Sequence, residues 1–146
     1  MRPATSERHL DNFKRRIASV YRNAIFSRPS MLTLAQEFDR IRMDYPKTLP
    51  LWVKESLSNY RMELRDNLIN NYTLQMYVLP SGKKVLTRFA WDSFDEESRN
   101  FIKNGGNLPI KTFWLSVEEK ITPEGVIIVT KTPTDDVYWE SSMLNG

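Results

Sequence analysis

The 146-residue sequence contains no cysteine and a single histidine, His9. Without cysteine there is no disulfide, no thiolate metal site and no cysteine nucleophile. One imidazole excludes paired-histidine metal centres and deprives most general-base schemes of their base. Glycine is scarce, five in all, and no phosphate-cradling loop is present. Gly105-Gly106 follows a helical pattern, with no strand before it and no lysine–threonine after it. Ser56, Ser93 and Ser116 have no G-x-S-x-G turn around them. No apolar run nears the roughly 18–20 residues needed to cross a bilayer. The start, MRPATSERHLDNFKRR, lacks the apolar core of an export signal, although its arginines keep organelle targeting open. These absences leave no catalytic residue, metal, cofactor or membrane partner to assign, and the expectation is a cytoplasmic, non-enzymatic protein.

Aromatic residues are plentiful: 7 Phe, 6 Tyr and 4 Trp. A chain of this length fits one domain and can bury roughly 70% of its unfolded surface, so its core needs no staples. Charge is unevenly spread. Residues 1–30 carry seven basic and two acidic side chains, residues 31–91 nine and six, and residues 92–146 five and ten. The basic front and acidic back suit steering onto an anionic partner or head-to-tail pairing of copies.

Residues 6–27 predict a helix. Leu10, Phe13, Ile17, Val20, Tyr21 and Ala24 recur at three- and four-residue spacing, and Arg28-Pro29 stops the run. A second helix is expected at about 31–44, capped by Ser30 or by a Thr33–Gln36 box, with Leu34, Phe38, Ile41 and Tyr45 inward. A third, about 50–70, starts at Pro50 and buries Val53, Leu57, Tyr60, Leu64 and Leu68. The period then changes to two. YTLQMYVLPSGKKVLTRFAW reads as a hairpin over Pro80-Ser81-Gly82, its second arm alternating through Val85, Thr87, Phe89 and Trp91. A short helix at about 94–103 follows a Ser93–Glu96 capping box, and Asn104-Gly105-Gly106 ends it.

A second hairpin, IKTFWLSVEEKI and GVIIVTK around Thr122-Pro123-Glu124-Gly125, closes the set. Its first run also satisfies a helix period through Trp114, Val117 and Ile121. The expected fold is α+β: three N-terminal helices packed on an antiparallel sheet of two hairpins joined by a fourth short helix. A single domain is expected over residues 1–146, with residues 1–5 as a flexible start and 134–146 as a surface strand or tail.

One catalytic pattern resembles a known class. Glu118-Glu119-Lys120, with Asp92 at an earlier strand end, is similar over three residues to Mg²⁺-dependent nucleases of the PD-(D/E)xK class. Trp91 stands where that pattern has its proline. The resemblance implies a nuclease as second alternative function; solvated charges at a strand end explain the same residues.

Two features suggest contact surfaces. Arg8, Arg15 and Arg22 stand seven apart. On a helix they fall at about 120–160° from Leu10, opposite the apolar stripe, with Phe26 among them and Arg16 at about 240°. The planar guanidinium fork suits carboxylate or phosphate. The second feature is the acidic, aromatic segment holding Asp135, Asp136, Tyr138, Trp139 and Glu140. Tyrosine and tryptophan are frequent interface anchors. Together they suggest a non-catalytic interaction protein: an assembly component, small inhibitor or adaptor, of a plain compact kind common among viral and phage accessory proteins. Its partner would be another protein or itself, as a homo-oligomer or complex subunit. In a viral setting its place would be the host cytoplasm. Nucleic-acid binding through the arginine stripe is the first alternative.

Overall fold

A computed structural model describes residues 5–88 and 90–141. The chain is a mixed α+β protein with four α-helices and a four-stranded antiparallel sheet among the described residues. It forms two compact units, residues 1–72 and 73–146.

The first unit is helical. Helix α1 (Thr5–Ser27) buries Phe13, Ile17, Tyr21 and Ala24, the stripe its periodicity predicts. It ends where Arg28, caught before Pro29, turns left-handed at φ +48° and donates its N–H to the Ala24 carbonyl at 2.8 Å. Helix α2 (Met31–Met43) is capped by Ser30, whose Oγ accepts the Thr33 N–H at 3.2 Å. Helix α3 (Leu51–Tyr72) follows Pro50 and buries Val53, Leu57 and Leu68; Tyr60 and Leu64 are half-buried. Aromatic contacts join the helices: Phe13 meets Tyr45 edge-on at 4.7 Å between centroids, and Tyr21 meets Phe38 tilted at 4.8 Å. The Tyr21 hydroxyl donates to the Arg61 carbonyl at 2.9 Å.

The second unit is the sheet, with strands β1 (Thr73–Val78), β2 (Lys84–Leu86), β3 (Ile110–Ile121) and β4 (Ile127–Glu140) in the order β2-β1-β3-β4. Two expectations change here and one is narrowed. The second arm of the first hairpin ends at Leu86; Thr87 and Arg88 turn, and Ala90–Ser93 is a 3₁₀ turn, so the alternation through Trp91 is not strand, and Phe89 lies outside the described residues. Helix α4 (Glu96–Lys103) is capped by Asp95 rather than by Ser93, because Asp95 is the residue directly before the first turn and its Oδ1 accepts the Ser98 N–H at 2.8 Å. Of the two readings of 134–146, surface strand or tail, the strand is the one found over residues 134–140. Residues 134–140 continue β4, which pairs with β3 out to Lys111↔Glu140; residues 142–146 lie outside the described residues, as do 1–4 of the expected flexible start.

The 110–121 run is a strand throughout. Its first half is the centre of the sheet unit: Thr112, Phe113, Trp114 and Leu115 are buried, with Trp114 fully so and edge-on to Tyr138 at 5.5 Å. A second cluster of Leu79, Val85 and Phe94 takes in Tyr77, Ile102 and Leu108.

Candidate functional site

The arginine stripe emerges as the spacing predicts. Arg8, Arg15, Arg16 and Arg22 are exposed, and Phe26 is 74% exposed. Arg16, a quarter-turn from the others, is bound to Asp44 at 2.8 Å. Among the described residues no carboxylate lies within ion-pair distance of Arg8, Arg15 or Arg22. Arg15 and Arg22 line a shallow depression with Asp11, Lys14 and Tyr60, where the Lys14 ammonium sits 5.1 Å from the Tyr60 ring centroid. His9 stacks against Phe13 at 6.3 Å.

The acidic, aromatic segment is woven into its own sheet. Tyr138 is buried and Trp139 half-buried, opposite Thr112. The Trp139 indole N–H is buried with no hydrogen-bond acceptor. Asp135 pairs with Lys84, whose ammonium lies 4.3 Å from the Phe113 ring centroid. Glu140 meets its cross-strand neighbour Lys111 at 3.3 Å. The Asp136 N–H donates to the Thr134 hydroxyl, which itself donates to the Trp114 carbonyl at 2.7 Å.

Asp92 sits in the 3₁₀ turn, whereas Glu118 and Lys120 lie on β3 opposite Thr130 and Ile128. Among the described residues no three His, Asp or Glu side chains gather as a metal site. Asp95 has its carboxyl held below the ordinary range. The Ser98 hydroxyl beside it, though out of bonding geometry, and the Ser98 N–H stabilise the charged form.

A third surface went unread in the sequence. β1 flanks β3 only as far as Thr73↔Trp114. Beyond that point β3 and β4 continue as a two-stranded arm, paired from Ser116↔Thr132 to Ile121↔Ile127. Directly opposite residues share a face, so the register puts Val117, Ile121, Ile127 and Val129 together, with Glu119 and Lys131. Ile121 is 74% exposed, Ile127 62% and Val129 50%. Pro133 and the irregular pairing near Phe113 roughen β4 nearer the core, but the arm has regular pairing and open edges. The available signal was V-I-I-V in a strand, apolar on consecutive positions where a half-exposed strand alternates.

No family model, curated protein or solved structure matches the chain. Among the described residues no helix is long and apolar enough to cross a membrane.

Proposed function

We propose that the chain is a non-catalytic assembly component that binds a second copy of itself, the apolar face of the β3–β4 arm on one copy seating against the basic α1 face of the next. The observation that carries this reading is the solvent-facing cluster of Ile121, Ile127 and Val129 on an arm with both edges open. A two-stranded ribbon is at best marginally stable in water by itself, and an exposed apolar patch of this kind gains by being covered.

Charge selects a second copy as the cover. The helical unit holds thirteen basic and eight acidic side chains, the sheet unit eight and ten. The arm presents Glu119 on its apolar face and Glu124 at its turn, and α1 presents Phe26 among arginines that lack internal carboxylate partners. Arm and helix are different surfaces, so the contact is head-to-tail and builds a ring or a filament.

Light scattering over a concentration series tests this. The mass rises with concentration in the native protein, Ile127→Asp stays monomeric, and Arg15→Glu weakens association until Glu119→Arg is added in the same chain. A native protein that is monomeric throughout, or an oligomer indifferent to Ile127→Asp, rejects the reading.

The exposed Arg8, Arg15 and Arg22 also favour a second reading, phosphate contact with nucleic acid. Its signature is a binding constant that falls steeply with salt, the log–log slope dropping by about one for each arginine removed. Salt-insensitive or absent binding to duplex and single strands removes it.

A further inference from the structure

Away from the α1 stripe, the helical unit carries a half-open cavity of about 740 Å³, within the roughly 300–1,000 Å³ typical of small-molecule sites. Its floor is made by the buried core side chains Ile17, Phe38, Ile41 and Leu57, and its accessible apolar rim by Met43, Tyr45 and Pro46. Its polar lining is strongly one-signed: Arg42, Lys47, Lys54 and Arg61 face a single carboxylate, Asp39.

The placement follows from sequence spacing. Lys54, Ser58 and Arg61 stand four and three apart on α3 and so share one face. Arg42 is on the last turn of α2, and Tyr45-Pro46-Lys47 carries the chain around the rim. Arg42 meets Asp39 at 3.6 Å, a long and exposed pair. Among the described residues no carboxylate lies within ion-pair distance of Lys47, Lys54 or Arg61. The Arg61 guanidinium lies 4.3 Å from the Phe38 ring centroid, held by the ring rather than by an acid. A guanidinium so anchored keeps its donors for a ligand and loses little freedom on binding one.

Tyr45 completes the arrangement. Its ring is wedged edge-on against Phe13. Burial pushes its pKa up while Arg42, Arg61 and Arg16 pull it down. Desolvation wins, so its hydroxyl stays protonated and can donate.

We infer that this cavity is a binding site for a phosphate monoester carried on an apolar or aromatic group, the phosphate taken by Arg61, Lys54, Lys47 and Arg42 and the apolar part by the rim of Met43, Tyr45 and Pro46. Excess positive charge at the rim supplies the selection for a dianion, and the guanidinium fork matches phosphate oxygens two at a time. The apolar rim separates this site from a diffuse basic surface, which would hold inorganic phosphate as well as any ester. The ester has two sources, a soluble metabolite or a lipid headgroup, and both present the same group.

Isothermal titration of the full chain with phenyl phosphate, inorganic phosphate and benzyl alcohol tests the site, alongside cosedimentation with phosphatidylcholine vesicles containing phosphatidic acid. Phenyl phosphate binds saturably and more tightly than either fragment alone. Arg61→Gln and Lys54→Gln each weaken it about ten-fold or more, the usual consequence of removing a charged hydrogen-bond partner. Arg65→Gln, an exposed cation of the same helix outside the cavity, leaves it unchanged. Vesicle binding that phenyl phosphate displaces assigns the lipid source, and phenyl phosphate binding without vesicle binding assigns the soluble one. The inference fails if neither probe binds at low ionic strength, if Arg65→Gln matches Lys54→Gln, if benzyl alcohol binds as well as the ester, or if vesicle binding resists displacement.

Discussion

Ile17 and Ile127 carry the same side chain into opposite circumstances. Ile17, in the helical unit, is 2% exposed; Ile127, in the sheet unit, is 62% exposed. The difference runs through both units. In α1 the residues that repeat at helical spacing are the ones that pack inward, and the cations fall on the far side. In β3 the residues from Thr112 to Leu115 are buried on both faces, and from Glu118 to Ile121 the same strand is exposed on both. A helix finishes its own hydrogen bonds and needs only one covered stripe. A strand depends on its neighbours for hydrogen bonds and on other layers for cover. β3 loses its β1 neighbour after Trp114, and its burial fades from Leu115 through half-buried Ser116 and Val117 to exposed Glu118. Apolar residues at helical spacing therefore report burial in α1, and apolar residues in the arm report an unfilled surface.

That contrast can be broken or sharpened by substitution. The largest effect belongs to Trp114→Ala at the point where the sheet is still covered. Losing a fully buried indole and its edge contact with Tyr138 costs about 3–5 kcal/mol, enough to unfold the sheet unit of a marginally stable protein. Urea titration followed by tryptophan fluorescence and far-ultraviolet circular dichroism measures it; a loss below about 1 kcal/mol would show that Trp114 is not central to that unit.

The isoleucine pair gives the next effect. Ile17→Ala costs about 2–5 kcal/mol, and Ile127→Ala in dilute, monomeric protein stays within about 0.5 kcal/mol. Equal losses would mean that the arm is packed within one chain, and the comparison would collapse. Repeating the Ile127→Ala measurement at a concentration where the protein associates sharpens it, since the loss then appears only in the oligomer.

The smallest effect concerns α4. The Asp95 carboxyl has its folded pKa lowered from an unfolded value of about 3.9. Its contribution is therefore complete above that value and is lost as pH falls through the depressed folded one. Asp95→Asn keeps an acceptor for the Ser98 N–H and removes the titration, so the acid limb of the stability curve below about pH 4 becomes shallower. Proton-resolved NMR of the Ser98 amide follows the same event; an amide shift indifferent to pH across this range would rule out the carboxylate as its partner.

The candidate surfaces were legible to different degrees for physical reasons. The exposed arginine stripe could be read because helix geometry converts a seven-residue spacing into one face without help from the rest of the chain. The acidic aromatic segment was equally visible as composition, but its placement was not: Asp135 and Glu140 find Lys84 and Lys111, residues 51 and 29 positions away, only through strand pairing. The cationic cavity escaped notice because its groups come from three helices and a linker, with no local motif among them.

Near-neighbour effects account for what the sequence determined unaided. Ser30 capping α2, proline ending α1, Gly105 and Gly125 at positive φ, and the change of period from helix to strand each act within a few residues. Tertiary structure alone decided the rest. Whether Trp114 or Ile121 of one unbroken strand is buried depends on which strand lies beside it, and no period along the chain encodes where that neighbour stops. Burial in a sheet is a property of the layer, and a layer is assembled from segments far apart in sequence.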